Sequence, residues 1–235
     1  MPSLSFTAPL LAIEASTAVG SVALWLDGGL AGVEVVPMGV GREDRLFPAM
    51  QHLLASNGLS PRVLQGVVCG EGPGSFTSLR IAASLAKGLA HGTGCALYAV
   101  PSLLVAAATA SPSLAPGRYL VHADALRGER YVLPVERSAE GSVSPSGPLA
   151  RIPASQLEAA GTAAGRVAVC ASPFGDEPCI VEPSVGDLAG AQGRWRDEAV
   201  SLEGWEPIYG RLAEAQVKWE ESHGKPLPDS PVVSS

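Results

Sequence analysis

The sequence predicts an α/β fold in which helices cover a mixed sheet. Three short apolar runs stand near the start of the chain without helical spacing between them, which predicts three strands. Helix and strand patterns then alternate up to about residue 110, so the expected order is β-β-β-α-β-α-β-α. This order predicts an antiparallel edge and a parallel interior.

Turn residues bound each of the three opening strands. The first is predicted over residues 10–13, the second over 22–26 and the third over 30–36. Between the last two, Asp27-Gly28-Gly29 is typical of a hairpin turn. The three strands are therefore expected to be antiparallel.

Helical spacing begins after residues 42–44. Leu46, Met50, Leu53 and Leu54 fall on one face, and Asn57-Gly58 is typical of a helix end. The remaining elements of this part are a strand over residues 67–69, a helix over 77–91, a strand over 96–100 and a helix over 102–110.

The sequence ASPSLAPG at residues 110–117 predicts a linker. Beyond it we expect strands over 119–123 and 131–136, a short helix over 152–160 and a strand over 167–170. The predicted domains are a first lobe at 1–110 and a smaller second lobe at 118–221. The tail at 222–235 is proline-rich and expected to be disordered.

The overall charge opposes direct binding of nucleic acid. The chain has 235 residues, a net charge of −7 and a pI near 5.1, whereas phosphate binding needs a clustered basic surface. Four cysteines and four histidines show no CxxC or HxxxH spacing, so no zinc site is predicted. No apolar stretch approaches the ~20 residues that span a bilayer, and the N-terminus lacks a basic start. A cytoplasmic protein is expected.

Residues 70–88, GEGPGSFTSLRIAASLAKG, form the most informative segment. Gly70, Gly72 and Gly74 follow a strand and precede a helix, where glycines free the backbone and amide donors lack partners. Neither a Walker A loop nor the dinucleotide fingerprint fits, since Lys87 comes too late and Ser75 stands in the third glycine position. Two interpretations stay open: a tight turn, or a loop in contact with a ligand.

The polar and apolar residues of the following helix also admit two interpretations each. Ser75 or Thr77 is expected as an N-cap, and Arg80 either pairs with Glu71 or reaches a partner. Lys87 suits the dipole at the helix end. The apolar residues wrap more than one face, which favours either deep burial on the chain's own sheet or a surface shared with a partner. They are Leu79, Ala82, Ala83, Leu85, Ala86, Leu89 and Ala90.

Four segments together resemble the TsaB (YeaZ) family, bacterial tRNA threonylcarbamoyladenosine biosynthesis proteins of the ASKHA (actin and sugar kinase-like) superfamily. They are LLAIEASTAVGSVALW (10–25), GEGPGSFTSLRIAASLAKGLA (70–90), DALRGERYV (124–132) and EPIYGRLAEAQVKWEE (206–221). The most specific is GPGSFT-x-LR-I. The resemblance implies a two-lobed, actin-like ATPase fold with a reduced second lobe.

The resemblance also implies a function and partners. The chain would be a non-catalytic subunit that pairs with a TsaD-like catalytic subunit, which a TsaE-like ATPase joins, and it would form a homodimer when alone. It would meet tRNA only through that complex. No metal or cofactor is expected for the isolated chain, while ATP or ADP with Mg²⁺ remains open for the complex.

The resemblance places the partner surface on two helices and the glycine loop. The residues assigned to this surface are Leu46, Met50, Leu53, Gly72, Pro73, Gly74, Ser75, Phe76, Thr77, Leu79, Arg80, Ala83, Ala86, Lys87 and Ala90. A nucleotide, if bound, would be contacted by Glu14, Ser16, Thr17, Gly74 and Ser75.

This sequence departs from the family pattern in ways that weaken the expectation of nucleotide binding. The first loop reads Glu14-Ala15-Ser16-Thr17 where the family has Asp-Thr-Ser/Ala-Thr, and Ser78 and Ala82 stand where it has glycine. The alternative function is an active ASKHA ATPase or phosphotransferase that uses Glu14, residues 72–77 and Mg²⁺. No GxSxG or HExxH motif supports a protease.

A second polar group lies in the predicted second lobe. Asp124, Arg127, Glu129 and Tyr131 suggest acid–base chemistry by residue type alone. A turn stabilised by local ion pairs is the commoner explanation, and the family gives these residues no catalytic role. The sequence therefore predicts a structural turn here.

Overall fold

The computed structural model describes residues 4–38, 45–125, 127–164, 167–170, 181–209 and 222–224. The first part of the chain forms a five-stranded sheet in the order β3-β2-β1-β4-β5. Its elements are β1 (Leu10–Glu14), β2 (Val19–Leu26), β3 (Gly29–Pro37), α1 (Leu46–Ser56), β4 (Gly66–Gly70), α2 (Phe76–Thr93), β5 (Ala96–Val100) and α3 (Ser102–Ala110). The β1–β2 and β2–β3 pairs are antiparallel, and β1–β4 and β4–β5 are parallel. The predicted α/β fold class, its mixed sheet and the order of elements are confirmed.

The second part of the chain forms another five-stranded sheet. Its path is β10-β6-β7-β8, and β9 also pairs with β7. Its elements are β6 (Gly117–Asp124), β7 (Glu129–Arg137), β8 (Val143–Pro145), β9 (Ala150–Pro153), α4 (Leu157–Ala164) and β10 (Val167–Cys170). The β10–β6 pair is parallel, and the pairs that β7 forms with β6, β8 and β9 are antiparallel.

The prediction of a helix over residues 152–160 is wrong at its start. Ile152 lies in β9, where it pairs with Arg130 of β7, and the α-helix begins only at Leu157. The ladder with β7 overrides the local helical pattern. Strands β8 and β9 are three and four residues long, too short to show an alternating pattern.

Two apolar clusters cover the two faces of the first sheet. On one face, α1 and α2 pack on Leu11, Ile13, Val22 and Leu24. On the other, α3 is buried along almost its whole length, between the first sheet and residues of β6, β7 and β8. A helix that is apolar on all sides is stable only when buried in this way.

A segment without regular structure runs beside α2. At one end, the amide of Val200 donates to the carbonyl of Leu97 at 2.8 Å, and at the other the amide of Ile208 donates to the carbonyl of Glu71 at 2.7 Å. We call residues 200–209 the strap. The start predicted for α1, residues 210–221 of the predicted second lobe and the tail beyond residue 224 lie outside the described residues.

Candidate functional site

The glycine turn, residues 70–75, connects β4 to α2. Gly72 adopts a φ of +90° and precedes a cis peptide bond to Pro73. Ser75 occupies the N-cap position, but its side chain makes no capping hydrogen bond and lies 3.1 Å from the hydroxyl of Ser78. The predicted capping role of Ser75 is therefore wrong, because its hydroxyl is turned toward Ser78. Helix α2 instead starts with a main-chain bond from the Leu79 amide to the Ser75 carbonyl, at 2.9 Å.

Backbone from distant parts of the chain fills the space beside the glycines. A Cβ at Gly74 would overlap the carbonyl and Cα of Ser16, and a Cβ at Gly72 would lie 2.5 Å from the carbonyl oxygen of Ile208. The amide of Ser75 donates to the Ser16 carbonyl at 2.8 Å. The glycines thus allow close approach of the chain's own backbone, and the turn is packed against protein atoms.

Glu14 lies beneath the turn, at the end of β1, and is fully buried. One carboxylate oxygen accepts from the Ser16 amide at 2.6 Å, and the other accepts from the Ser102 hydroxyl at 2.8 Å. The Ser102 oxygen in turn accepts from the Gly72 amide at 3.0 Å. Gly70 has no room for a Cβ because this carboxylate lies against it. One acid therefore holds together β1, the glycine turn and the start of α3.

Burial sets the protonation of this site. It raises the pKa of Glu14, and the hydrogen bonds from Ser16 and Ser102 offset part of the increase. Burial likewise raises the pKa of Glu71, and the nearby indole N–H of Trp205 acts in the opposite direction. It also raises the pKa of Cys69. These groups are poorly suited to holding charge in the folded chain.

The residues expected to contact a nucleotide use their polar groups within the chain. Each carboxylate oxygen of Glu14 accepts a hydrogen bond as described. The main-chain groups of Ser16 bond the carboxylate and the Ser75 amide, and the Thr17 hydroxyl donates to Glu182. Among the described residues, no group of three or more His, Cys, Asp or Glu side chains is arranged to hold a metal.

The strap contacts α2 through charged and aromatic side chains. The Phe76 and Tyr209 rings lie 4.9 Å apart, and the Lys87 ammonium lies 3.2 Å from the Glu206 carboxylate and 5.6 Å from the Trp205 ring. The Tyr209 hydroxyl donates to Glu206 at 2.5 Å. Chiefly because of that bond, the pKa of Glu206 is lowered, while burial and the same carboxylate raise the pKa of Tyr209 to about 12.

Arg80 does not form the intramolecular pair predicted for it. Its guanidinium lies over the Phe76 ring, 5.3 Å from the centroid, on the exposed side of α2. Its charge acts on Glu206 and Tyr209. Pairing with Glu71 is not observed among the described residues, since that carboxylate lies buried toward Trp205.

The apolar residues assigned to the partner surface are buried in this chain. They are Leu46, Met50, Leu53, Leu79, Ala83, Ala86 and Ala90. Five of them, on α1 and α2, belong to the apolar cluster over the first sheet, and Leu79 lies against Gly72. Gly72 and Pro73 are buried as well. An apolar stripe at helical spacing is by default a face that packs on the core, and these side chains follow that rule.

Other residues of the same helices are exposed. Phe47 and Gln51 lie on the outer face of α1, and Ser84 and Gly88 lie on that of α2. Of the residues assigned to the partner surface, Ser75, Thr77 and Arg80 are exposed, and Gly74, Phe76 and Lys87 are half-buried. The exposed residues outside the assigned set are mostly small or polar and carry no distinctive motif.

The polar turn of the second sheet is held by ion pairs of the predicted Asp124 and Glu129, whose partners are arginines outside the predicted group. Asp124 lies 3.9 Å from buried Arg130, and Glu129 lies 3.5 Å from Arg151. Arg130 also donates to Nδ1 of His122 at 2.7 and 3.2 Å. Burial and this arginine lower the pKa of His122 to about 4. The arrangement supports a structural turn.

Comparisons with known proteins find similarity to proteins of tRNA threonylcarbamoyladenosine synthesis. Residues 34–144 match a family model described as TsaD, tRNA N6-adenosine threonylcarbamoyltransferase. The chain is 35% identical to the tRNA threonylcarbamoyladenosine biosynthesis protein TsaB of Escherichia coli over 56% of this chain and 57% of that protein. It is 34% identical to TsaB of Haemophilus influenzae, over 54% of each chain. The chain thus spans about half the length of the curated relatives it matches.

Solved structures extend the similarity over most of the chain. YeaZ from Pseudomonas aeruginosa superimposes with a TM-score of 0.69 and 25% identity, covering 86% of this chain and 99% of that one. A second structure, of a protein from the same organism with similarity to peptidase YEAZ, gives a TM-score of 0.73 at 25% identity and covers 87% and 100%. The two-lobed fold is therefore shared.

Proposed function

We propose that this chain, which belongs to the TsaB (YeaZ) family, is a non-catalytic subunit in tRNA N6-threonylcarbamoyladenosine synthesis. The observation that carries the proposal is the closed glycine turn. Ser16 and Ile208 occupy the space beside Gly74 and Gly72, and the acid of the first loop is buried and hydrogen-bonded. Such a site supports packing rather than phosphate chemistry.

The proposed partner is a TsaD-like catalytic subunit. The match to the TsaD family model spans residues 34–144, which include α1 and α2, so a TsaD-type chain carries related helices. Two identical chains that pair about a two-fold axis use the same surface on each, and we extend this arrangement to two related chains. We place the docking surface on the exposed residues of α1 and α2, with Phe47 and Ser84 near its centre. The same surface would form a homodimer in the absence of the partner.

The remaining members of the assembly follow from the family. A TsaE-like ATPase would join the pair, tRNA would be bound through the complex, and any ATP or ADP with Mg²⁺ would belong to the complex. A cytoplasmic location stays a prediction. In the described part of the chain, no helix is long and apolar enough to cross a membrane.

A substitution on the exposed side of α2 tests the docking surface. Ser84→Arg is expected to weaken association with a purified TsaD-like subunit at least ~10-fold, because it adds a bulky charge at a close helix contact. Titration calorimetry measures the affinity. Ser155→Arg, at an exposed position between β9 and α4, is the matched control and should bind as the unmodified chain does.

The outcomes separate two failures. If the unmodified chain and the TsaD-like subunit stay apart in light scattering, the proposed function is wrong. If they associate and Ser84→Arg binds normally, only the placement of the surface is wrong. Ala86→Arg is unsuitable for this test, because Ala86 is fully buried and the change would place a charge in the core.

A further inference from the structure

The strap runs along one side of α2 and covers the glycine turn. Its two ends are fixed by main-chain bonds, from Val200 to the Leu97 carbonyl and from Ile208 to the Glu71 carbonyl. Between them, Trp205 packs at the margin of the core beneath α2. The carbonyl of Ile208 lies against Gly72, so the strap closes the turn from outside.

The strap and the exposed face of α2 are neighbours. Thr77, Arg80, Ser84 and Gly88 are exposed and recur every three or four residues, so they form one stripe along the helix. The strap contacts Phe76 and Lys87, which flank this stripe on one side. The stripe and the strap meet at Arg80, whose charge acts on Glu206 and Tyr209.

The side-chain contacts between the strap and α2 lie at the surface. Glu206 is 63% exposed in its ion pair with Lys87, and exposed ion pairs contribute little to stability. The aromatic contacts of Phe76 with Tyr209 lie at the surface, and both rings are half-buried. Toward the core, Val200, Leu202 and Trp205 pack against the apolar cluster but are only partly buried. Segments with partly buried contacts open locally more easily than the core does. Opening of the strap would expose Glu71 and the outer side of the glycine turn.

We propose that the strap forms one wall of the docking surface on α2, so that binding of the partner and closure of the strap stabilise each other. This inference rests on the proposed function, since the partner is the TsaD-like subunit. A partner that covers the stripe from Thr77 to Gly88 contacts Glu206 and Tyr209 only while the strap is closed. Strap closure is then a condition of full affinity, and linkage makes the effect reciprocal.

Amide hydrogen exchange of the full chain, alone and with the TsaD-like subunit, tests the coupling. The amides of Ile208 and Val200 report on closure, because both donate across the strap's ends. Exchange at both is expected to slow at least ~10-fold when the partner binds. Unchanged or faster exchange at Ile208 in the complex would overturn the proposal, since the strap would then be independent of the partner or displaced by it.

A conservative variant tests the reciprocal effect. Glu206→Gln removes the charge that Lys87 pairs with and is expected to speed exchange at Ile208 in the free chain by ~2–5-fold and to weaken partner binding by a similar factor. Glu198→Gln is the matched control, because Glu198 forms an exposed ion pair with Arg194 outside the strap.

The result separates this inference from the proposed function. Normal partner binding by Glu206→Gln despite faster exchange at Ile208 contradicts the coupling and leaves the proposed function intact. Absence of binding by the unmodified chain contradicts the proposed function itself.

Discussion

Glu14 shows how one residue acquires a role that its sequence position does not suggest. In a nucleotide-binding loop, an acid at this place would face solvent, metal and phosphate. Here it is fully buried and accepts hydrogen bonds from Ser16 and Ser102. Its longer side chain, compared with the aspartate of the family pattern, lies against Gly70. A carboxylate in this setting organises packing.

The buried acid predicts a pH dependence of stability. The pKa of Glu14 is raised from 4.5 in the folded chain. The contribution of Glu14 to the free energy of unfolding is therefore fully present below pH 4.5, and it is lost as the pH rises through the raised pKa. Glu14→Gln removes this titration. The free energy of unfolding of the variant, minus that of the unmodified chain, should therefore increase as the pH is raised above 4.5 and through the raised pKa of Glu14.

Urea unfolding at several pH values measures this difference. Glu203→Gln, at an exposed acid, is the matched control for the loss of one carboxyl group. A difference for Glu14→Gln that does not change with pH would contradict the effect assigned to burial.

The space around Gly74 and Gly88 predicts opposite effects of adding a side chain on the stability of the fold. Gly74→Ala would force a Cβ into the Ser16 backbone and is expected to lower the free energy of unfolding by about 1–3 kcal/mol. Gly88→Ala in α2 meets nothing within 4 Å and should raise it by up to about 1 kcal/mol. Chemical denaturation of both variants measures the two changes in the free energy of unfolding, which should have opposite signs. Equal changes would show that the turn is not tightly packed.

At the scale of elements, α2 and α3 have different roles in the first lobe. Helix α3 is buried on nearly all sides and starts at Ser102, which bridges the glycine turn and Glu14. Helix α2 buries one side and keeps a stripe of small and polar residues exposed. The amphipathic helix is therefore the one available to a partner.

The bridging role of Ser102 predicts a cost for its removal. Ser102→Ala leaves the Gly72 amide and a buried Glu14 oxygen each without one hydrogen bond, which is expected to cost about 1–3 kcal/mol of stability. Ser84→Ala, at an exposed position of α2, should change stability by less than about 0.5 kcal/mol. Thermal unfolding of the two variants compares them, and a small effect at Ser102 would mean that the bridge contributes little.

Across the whole molecule, one apolar cluster joins the two sheets. It contains Val68 of the first sheet, Leu104 of α3 and Leu133 of the second sheet. The linker predicted at residues 110–117 connects two lobes in sequence without separating their cores. The boundaries of the two predicted lobes therefore stay a prediction. The shared cluster indicates that each lobe depends on the other for its stability.

The shared core predicts cooperative unfolding. Far-ultraviolet circular dichroism and tryptophan fluorescence should report one coincident transition, because α3 cannot lose either sheet without exposing apolar surface. A fragment of residues 1–110 should fail to fold alone for the same reason. Two separated transitions, or a folded fragment, would contradict this view.

The sequence by itself determined the fold class, the antiparallel opening and the position of the glycine turn before α2, because these depend on local periodicity and turn chemistry. It also carried the motifs of the TsaB family. It did not determine which side of α2 is exposed, nor that Ser16 and Ile208 fill the turn. Those features depend on contacts between segments far apart in the chain, which no local pattern encodes. Only the tertiary structure decided that backbone from distant segments packs against the glycines and that Glu14 is buried.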